Sequence, residues 1–160
     1  MIEFWFNQDG IWLQLPVPPS SYSLKSGNNN SVINVESVGE VNILGDSKLS
    51  EISFESFFPA QEYNFCAYSN IPTPFECVAQ IESWRKSKKP IRVILTDTDI
   101  NDLFSIETFE YGEKDGTGDI YFTLTLKQYK VLKLNEKIVG QWGASFSLTN
   151  SNNILGGIYE

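Results

Sequence analysis

The chain has 160 residues, enough for one ordinary hydrophobic core and too few for two. Apolar residues make up 41% and aromatic residues 14% of it, which excludes a disordered, solvating chain. The formal net charge of −8 argues against nonspecific binding to nucleic acid or anionic membranes. The N-terminus carries no basic segment and no apolar run approaches about 20 residues, so we expect no secretory leader and no membrane span.

The residues that usually carry catalysis or bind metals are scarce. The chain has no histidine, which removes Ser-His and Cys-His nucleophile systems, and Cys66 and Cys77 form no CxxC pair. The aspartates of segment 97–102 lack the central glycine of an EF-hand loop, so turn formation is favoured over calcium binding. We therefore expect no enzyme activity, metal or cofactor, and two buried free thiols in a reducing compartment, with a disulfide as the alternative.

Strand patterns dominate the first sixty residues. Ile2 to Phe6 and Ile11 to Leu15 flank a turn that ends in Asp-Gly, which predicts a hairpin that Pro16 ends. Alternation of apolar and polar residues predicts three more strands, at 32–37, 41–44 and 49–58.

One helix is predicted, over about residues 74–88. Thr73 as N-cap, Pro74 at the first helical position and Glu76 two residues later form a capping box. The predicted apolar stripe comprises Phe75, Val78, Ile81 and Trp84, with Cys77 and Ala79 at its margins. The basic residues of segment 85–89 suit the negative end of the helix dipole, although they could also form a binding patch.

The strongest strand signal follows the helix. Residues 91–96 predict a central strand, and 97–102 a turn. Residues 103–111 and 119–130 then form a long hairpin around the glycine-rich loop 112–118, with strict alternation on the returning strand. Further strands are predicted at 131–134 and 144–148, and a linker or docking tail at 149–160 after a single domain of residues 1–148.

The middle of the chain resembles a known protein family. The segments that carry the resemblance are Ser56–Pro59, Tyr68–Val78, Ile81–Trp84, Lys88–Asp97, Phe109–Gly112 and Gly118–Lys127. Over roughly residues 50–130 they resemble the N-terminal domain of LysM-bearing proteins of Firmicutes contractile prophages and phage-tail-like bacteriocins, which lie at the junction of baseplate and tail tube.

The resemblance implies a mainly β (α+β) fold, a tail-tube-like antiparallel β-sandwich or barrel with one flanking helix. It implies a structural role in a contractile tail, as a tube initiator or baseplate adaptor that joins the tail tube to the hub. The expected partners are further copies in a ring, as a homohexamer, with tail tube, baseplate hub and sheath-initiator-type proteins. The expected location is the virion tail, assembled in the cytoplasm of the host bacterium.

The sequence departs from this family at its C-terminus. Longer relatives carry a LysM module after a linker, and this sequence ends at Glu160. We therefore expect the work of LysM to be absent or delegated. The apolar residues of the tail are candidates for docking instead, namely Ile154, Leu155, Ile158 and Tyr159.

Unpaired strand edges and long hairpins are natural docking elements in a ring. The candidate contact residues in the hairpins are Phe4, Trp5, Tyr111, Gly112, Asp119 and Tyr121. Three other functions remain open: a glycan-binding β-sandwich with exposed tryptophans, a tail assembly chaperone or terminator, and a carboxylate-based hydrolase. For the hydrolase, neither of the pairs Glu51/Glu55 and Glu107/Glu110 is preferred.

Overall fold

A computed structural model describes residues 1–132 of the chain. In this range the chain forms nine strands and one helix. The strands are β1 Phe4–Gln8, β2 Ile11–Gln14, β3 Tyr22–Lys25, β4 Ser31–Val35, β5 Gly39–Ile43, β6 Glu51–Phe58, β7 Ile91–Leu95, β8 Asn101–Glu113 and β9 Ile120–Gln128. The helix is α1 Pro74–Ser87. The predicted mainly β class with one helix is therefore confirmed for this part of the chain.

Seven strands form one antiparallel sheet in the order β2-β1-β7-β8-β9-β6-β3. The hairpin of β1 and β2 turns at Asp9 and Gly10, both with positive φ, as a two-residue turn that follows the twist of the strands requires. β7 is paired on both sides, which confirms the prediction of a central strand. β3 was not predicted, and it pairs with β6 at one edge of the sheet.

The sheet curls so that distant strands meet across a common core. β1 and β6 are four positions apart in the sheet, which would separate them by about 19 Å if it were flat. Instead the ring of Phe54 on β6 lies 5.0 Å from that of Phe4 and 6.4 Å from that of Phe6, both on β1. One curled sheet thus supplies both walls of the predicted sandwich or barrel.

Aromatic and branched residues fill the space inside the curl. Phe58 stacks on Phe122 with ring centroids 4.3 Å apart, and Phe122 also meets Phe54 edge to face. On β9 the predicted alternation is confirmed, because its four inward side chains are all buried: Ile120, Phe122, Leu124 and Leu126. The buried face of α1 belongs to the same core.

The helix begins at a complete capping box. The Thr73 hydroxyl accepts a hydrogen bond from the Glu76 backbone N–H, and the Glu76 carboxylate accepts one from the Thr73 N–H. The buried face comprises Pro74, Cys77, Val78, Ile81 and Trp84. Phe75 is 68% exposed, so its place in the predicted stripe was wrong. Each step of three residues along an α-helix falls about 60° short of a full turn. Three such steps separate Phe75 from Trp84, so the two side chains lie on opposite sides of the helix.

The long hairpin is larger than the sequence indicated. β8 begins at Asn101, inside the predicted turn, because Asn101 pairs with Ile94 of β7. It continues to Glu113, and its pairing with β9 shifts register between Ile106 and Thr108, as at a β-bulge.

The strands β4 and β5 form a separate two-stranded sheet, called the arm here and comprising residues 31–43. The predicted strands at 32–37 and 41–44 are confirmed as this hairpin, with slightly different ends. Val131 and Leu132 belong to no strand, and the remaining predictions for 133–160, including the domain end at 148, lie outside the described residues. In residues 1–132 no helix is long and apolar enough to cross a bilayer.

Candidate interaction surfaces

The predicted contact residues occupy different environments. Phe4 lies in the core, because it shares the inward face of β1 with Phe6, so its side chain offers no surface to a partner. Trp5 faces outward, donates a hydrogen bond to the Glu3 carboxylate at 2.9 Å and meets Trp12 edge to face. Ile154, Leu155, Ile158 and Tyr159 lie outside the described residues and remain predictions.

The predicted contact residues of the β8–β9 hairpin come together near its tip. Tyr111 is exposed and its ring lies 5.0 Å from that of Phe109. Gly112 pairs with Tyr121 across the two strands. Asp119 is buried, and its carboxylate accepts hydrogen bonds from the Ala60 N–H at 2.7 Å and the Tyr63 hydroxyl at 2.9 Å. Asp119 therefore fastens the loop after β6 to the hairpin.

The arm presents an apolar face to solvent. Its register pairs Ile33 with Val41, and Ser31 with Ile43, so these side chains share one face with Val35. On this face Ile33 and Ile43 are each 45% exposed and Val35 is 37% exposed. A two-stranded ribbon is at best marginally stable alone in water, and an exposed apolar face typically marks an interaction site.

The arm is attached to the sheet through a narrow neck of two segments, 27–30 and 45–48. The backbone N–H of Asn29 bonds the Asp46 carbonyl at 2.8 Å, and that of Lys48 bonds the Gly27 carbonyl at 2.7 Å. Gly45 lies so close to the Asn29 carbonyl that a Cβ at this position would overlap it. The neck therefore fixes the base of the arm and requires glycine at position 45.

The charged residues of the arm are all acidic. Between Ser26 and Ser47 the chain contains Glu36, Glu40 and Asp46 and no lysine or arginine. Neither Glu36 nor Glu40 forms an ion pair with any residue in the range 1–132. Glu40 pairs with Asn34 on the face opposite the apolar residues, and Glu36 lies in the turn, so the negative charge of the arm is separate from its apolar face.

A second surface is an aromatic cluster on the outer face of the sheet. Tyr63 and Phe65 stack with centroids 5.0 Å apart, and Phe57 packs against both and against Tyr121. The Lys114 ammonium lies 4.7 Å from the centroid of the Tyr121 ring, a cation–π contact. Sequence reasoning missed this cluster, because its members come from three separate segments.

The acidic groups beside the cluster are held by hydrogen bonds. Thr117 and Tyr121 donate to the Asp115 carboxylate, and these bonds lower the pKa of Asp115, with the Thr117 hydroxyl as the largest contributor. The bond to Asp119 raises the pKa of Tyr63. An open groove of about 500 Å³ next to the cluster is lined by three glutamates, Glu55, Glu110 and Glu113. This surface is therefore acidic as well as aromatic.

A third surface combines the C-terminal end of α1 with β2. The Gln8 side-chain amide donates to the Ser87 hydroxyl at 3.1 Å, and the Lys89 ammonium lies 2.8 Å from the Asp9 carboxylate. These contacts bring the basic segment 85–89 beside the turn that precedes β2. Ile11 and Trp12 at the start of β2 are 51% and 53% exposed. Ile11 pairs with Gln8 and lies on the same face of the hairpin as the contact with the helix end, whereas Trp12 pairs with Asn7 and lies on the opposite face, against Trp5.

The structure places Cys77 in the core and Cys66 at intermediate exposure. Both thiols are free, and burial raises the pKa of Cys77 to about 12, so it stays protonated at neutral pH. Burial likewise raises the pKa of Tyr68 to about 12. Within the described part of the chain, no three metal-binding side chains cluster closely enough to hold an ion.

Comparison with known proteins gives one sequence relative and a set of similar folds. The chain is 40% identical over 130 residues to YqbP of Bacillus subtilis (strain 168), an uncharacterized protein. The match covers 80% of this chain and 59% of that protein, so the chain spans less than two thirds of its relative. No family model matches the sequence.

The similar folds are tail structures. A chain from the tail of an empty gene transfer agent particle, refined with C6 symmetry, is 15% identical with a TM-score of 0.52, over 84% of this chain and 95% of that one. A chain of the SPP1 tail tube is 16% identical with a TM-score of 0.48, over 97% and 93%. The first of these identifies the fold of this chain as that of a tail protein.

Proposed function

We propose that this chain is a non-catalytic structural subunit of a phage-like contractile tail. In this role it forms a symmetric ring, as a homohexamer, that joins the tail tube to the baseplate hub. Its partners are neighbouring copies, the tail tube protein, the hub and sheath-initiator-type proteins. The particle is an infectious phage or a bacteriocin, and the chain resides in its tail.

The observation that carries the proposal is the similarity in fold, over 84% of this chain, to a chain from a tail refined with C6 symmetry. The free edges of β2 and β3 and the exposed apolar face of the arm add to this support, because closed rings need heterologous contacts of complementary surfaces. The buried, protonated Cys77 thiol and the lack of histidine agree with a role that involves no chemistry.

The junction with the baseplate rests on the resemblance of residues 50–130 to the LysM-bearing family. In the longer members of that family a further module follows the tube-like domain. YqbP extends well beyond the matched region, as such a longer member would. A tube-like domain at the end of the tube would let the lattice of the tube continue onto the hub.

Electron microscopy of the particle tests the proposal. A short peptide tag is placed at Met1, which is exposed, and gold-labelled antibody then marks its position. We expect label in one ring at the baseplate end of the tube. Label along the whole tube would identify a tube subunit instead, and a particle without label would indicate an assembly chaperone or a free domain.

A glycan array tests the alternative function, in which the chain binds glycans. Trp12 and its neighbour Trp5 form an exposed aromatic surface that a saccharide ring could stack on. We expect no saccharide to bind the wild-type chain. Binding that is lost in Trp12→Ala would contradict the structural role and favour a glycan-binding domain.

A further inference from the structure

We propose that β3 of one copy pairs with the free part of β8 in the next copy, so that the sheets of neighbouring copies join edge to edge. The inference rests on the proposed function, because it names the strands through which the ring assembles. It begins from β8, which pairs with β7 only over 101–104. Residues 105–113 have β9 on one side and, within the described part of the chain, no strand on the other. Unpaired strand edges are ready sites for pairing with another chain.

The backbone groups that the free part of β8 offers follow from the hydrogen bonds of β9. The N–H of Gln128 bonds the Ser50 carbonyl beside β6, whereas the N–H of Tyr129 bonds the Leu103 carbonyl of β8. Even-numbered residues of β9 thus point their N–H and C=O groups at β6, and odd-numbered residues point theirs at β8. Three residues of β8 lie opposite even-numbered residues of β9 and so direct these groups to the free edge: Phe109, Tyr111 and Glu113.

The same alternation applies to β3, at the other side of this part of the sheet. Ile52 and Phe54 of β6 lie opposite even-numbered residues of β9, so their N–H and C=O groups bond β9 rather than β3. Their partners on β3, Leu24 and Tyr22, therefore direct their own groups to the free edge. Within residues 1–132, no backbone hydrogen bond from a turn or loop uses the groups of either edge.

Ring symmetry sets the relative direction of the two strands. β8, β9, β6 and β3 are successive antiparallel neighbours, so β3 runs opposite to β8. A rotation about the axis of a ring leaves the direction of each strand along that axis unchanged, so β3 of one copy is antiparallel to β8 of the next. The contact is heterologous, since it joins two different edges, and it repeats around the ring.

One antiparallel register matches the backbone and the side chains together. It places Leu24 opposite Tyr111 and Lys25 opposite Glu110. Leu24 and Tyr111 both lie on the inward face of the sheet, and they remain 48% and 46% exposed in the single chain. Lys25 and Glu110 lie on the outer face, and neither forms an ion pair in residues 1–132. This register therefore buries an apolar pair on one face and forms an ion pair on the other.

Charge argues against pairing between two identical edges. The free part of β8 has no basic residue and three glutamates, so two such edges would repel each other: Glu107, Glu110 and Glu113. The only charged residue of β3 is Lys25. β2, the other terminal strand of the sheet, has no charged residue, and its Gln14 carbonyl already accepts a bond from the Tyr68 hydroxyl at 3.0 Å. Of the two terminal strands, only β3 has a charge that complements β8.

Pairing at β3 also brings the arm next to the neighbouring copy. β3 ends at Lys25, and the neck begins two residues later at Gly27. A copy that pairs with β3 therefore lies beside the base of the arm. The paired edges and the arm are thus at the same junction between copies.

Charge reversal at the paired positions tests the proposal in the purified chain. The variants are Lys25→Glu, Glu110→Lys and a double variant with both changes. Sedimentation velocity at low salt measures association, and circular dichroism checks that each variant is folded. We expect each single variant to associate about tenfold more weakly than wild type, because like charges then face each other across the two strands. The double variant restores an opposite pair between copies, and it should associate like wild type.

Two variants with the same changes of charge elsewhere serve as matched controls. Lys86→Glu and Asp99→Lys alter exposed residues that belong to neither edge. Both should associate like wild type. A weakening that the controls share would reflect net charge rather than the pairing of the strands.

A proline variant tests the backbone hydrogen bonds separately from charge. Leu24→Pro removes an N–H that points to the free edge, and proline at such a position is compatible with an edge strand. Leu24→Ala is the matched control, because it shortens the side chain and keeps the N–H. We expect both variants to stay folded by circular dichroism and only Leu24→Pro to lose association.

Four results would overturn the inference: a wild-type chain that stays monomeric, a double variant as weak as the single variants, charge controls that are equally weak, or a proline variant that associates like its alanine control. Failure of the proposed function looks different, because it appears as absence of the tagged chain from the particle. A ring in the particle that tolerates Lys25→Glu and Leu24→Pro would refute only the pairing of these edges.

Discussion

The β8–β9 hairpin and the arm are both antiparallel hairpins with one apolar face, yet their surroundings differ. On β9 the four inward residues are buried under the curled sheet and α1. On the arm the residues of the equivalent face remain open to solvent. Burial of one such side chain is worth about 1.5–3 kcal/mol, which the first hairpin realises inside the chain and the second does not. Both hairpins therefore have an apolar face that would gain free energy from burial. The fold determines whether other residues of the same chain bury it.

The comparison predicts the largest loss of stability for a substitution in the buried core. Trp84→Ala removes a buried indole from the contact of α1 with the sheet and should cost about 3–5 kcal/mol of unfolding free energy. Phe75→Ala is the matched control on the same helix, and it should change stability by less than about 0.5 kcal/mol because Phe75 is exposed. Chemical denaturation measures both, and equal effects would refute the assignment of the buried helix face.

A smaller effect is expected where a loop is fastened to the β8–β9 hairpin. Asp119→Ala leaves the Ala60 N–H and the Tyr63 hydroxyl without their acceptor and should cost about 1–3 kcal/mol. Asp99→Ala removes an exposed carboxylate and serves as the control, with a change below about 0.5 kcal/mol. Urea denaturation of the two variants in parallel would contradict this account if their midpoints coincided.

The capping box at the start of the helix should contribute less to the free energy of unfolding than the bonds of Asp119. Thr73→Ala removes the hydroxyl that accepts the Glu76 N–H and should cost about 1 kcal/mol. Thr73→Ser keeps an acceptor in the same place and should lie within about 0.5 kcal/mol of wild type. Thermal unfolding of both variants checks the difference, which disappears if the capping box does not stabilise the helix.

The smallest effect on folding is expected in the arm. Ile33→Ser places a hydroxyl on the open apolar face and should change the unfolding free energy of the monomer by less than about 0.5 kcal/mol. The same change should weaken self-association strongly, because the face is then less favourable to bury. Unfolding measured at low concentration and sedimentation at high concentration separate the two effects. A large loss of monomer stability would show that the arm is covered within the chain.

Much of the sheet and the helix could be predicted because their signals are local. The capping box of Thr73 and Glu76 lies within four residues, and the alternation on β9 within nine. The resemblance of residues 50–130 to tail proteins predicted the class of fold without the pairing of its strands. Those signals depend only on near neighbours in the sequence, and the structure preserves them.

The features that sequence reasoning missed depend on distant parts of the chain. β3 has only four residues, Tyr22–Lys25, and it is a strand because β6 pairs with it. The aromatic cluster joins Phe57, Tyr63 and Tyr121 through the curl of the chain and the anchor at Asp119. Phe4 was a candidate contact residue because it lies on an N-terminal strand, but the ring of Phe54 packs against it from across the core.

The exposure of the arm also could not be predicted from the sequence. Its alternation predicted strands correctly, yet the same pattern is typical of a hairpin that packs on a core. Within residues 1–132, the separate sheet and the exposure of Ile33 and Ile43 show that this face does not pack on the core.

Removal of the arm tests most directly whether it serves a partner rather than the fold. Residues 31–43 are replaced by a short Asn-Gly turn, which suits the antiparallel neck that remains. Thermal unfolding and sedimentation velocity are measured on the same sample. We expect the melting temperature to stay within a few degrees of wild type, at roughly the scale of a small stability change, while self-association is lost. A variant that unfolds, or one that assembles like wild type, would contradict the claim that the arm exists to join copies of this chain.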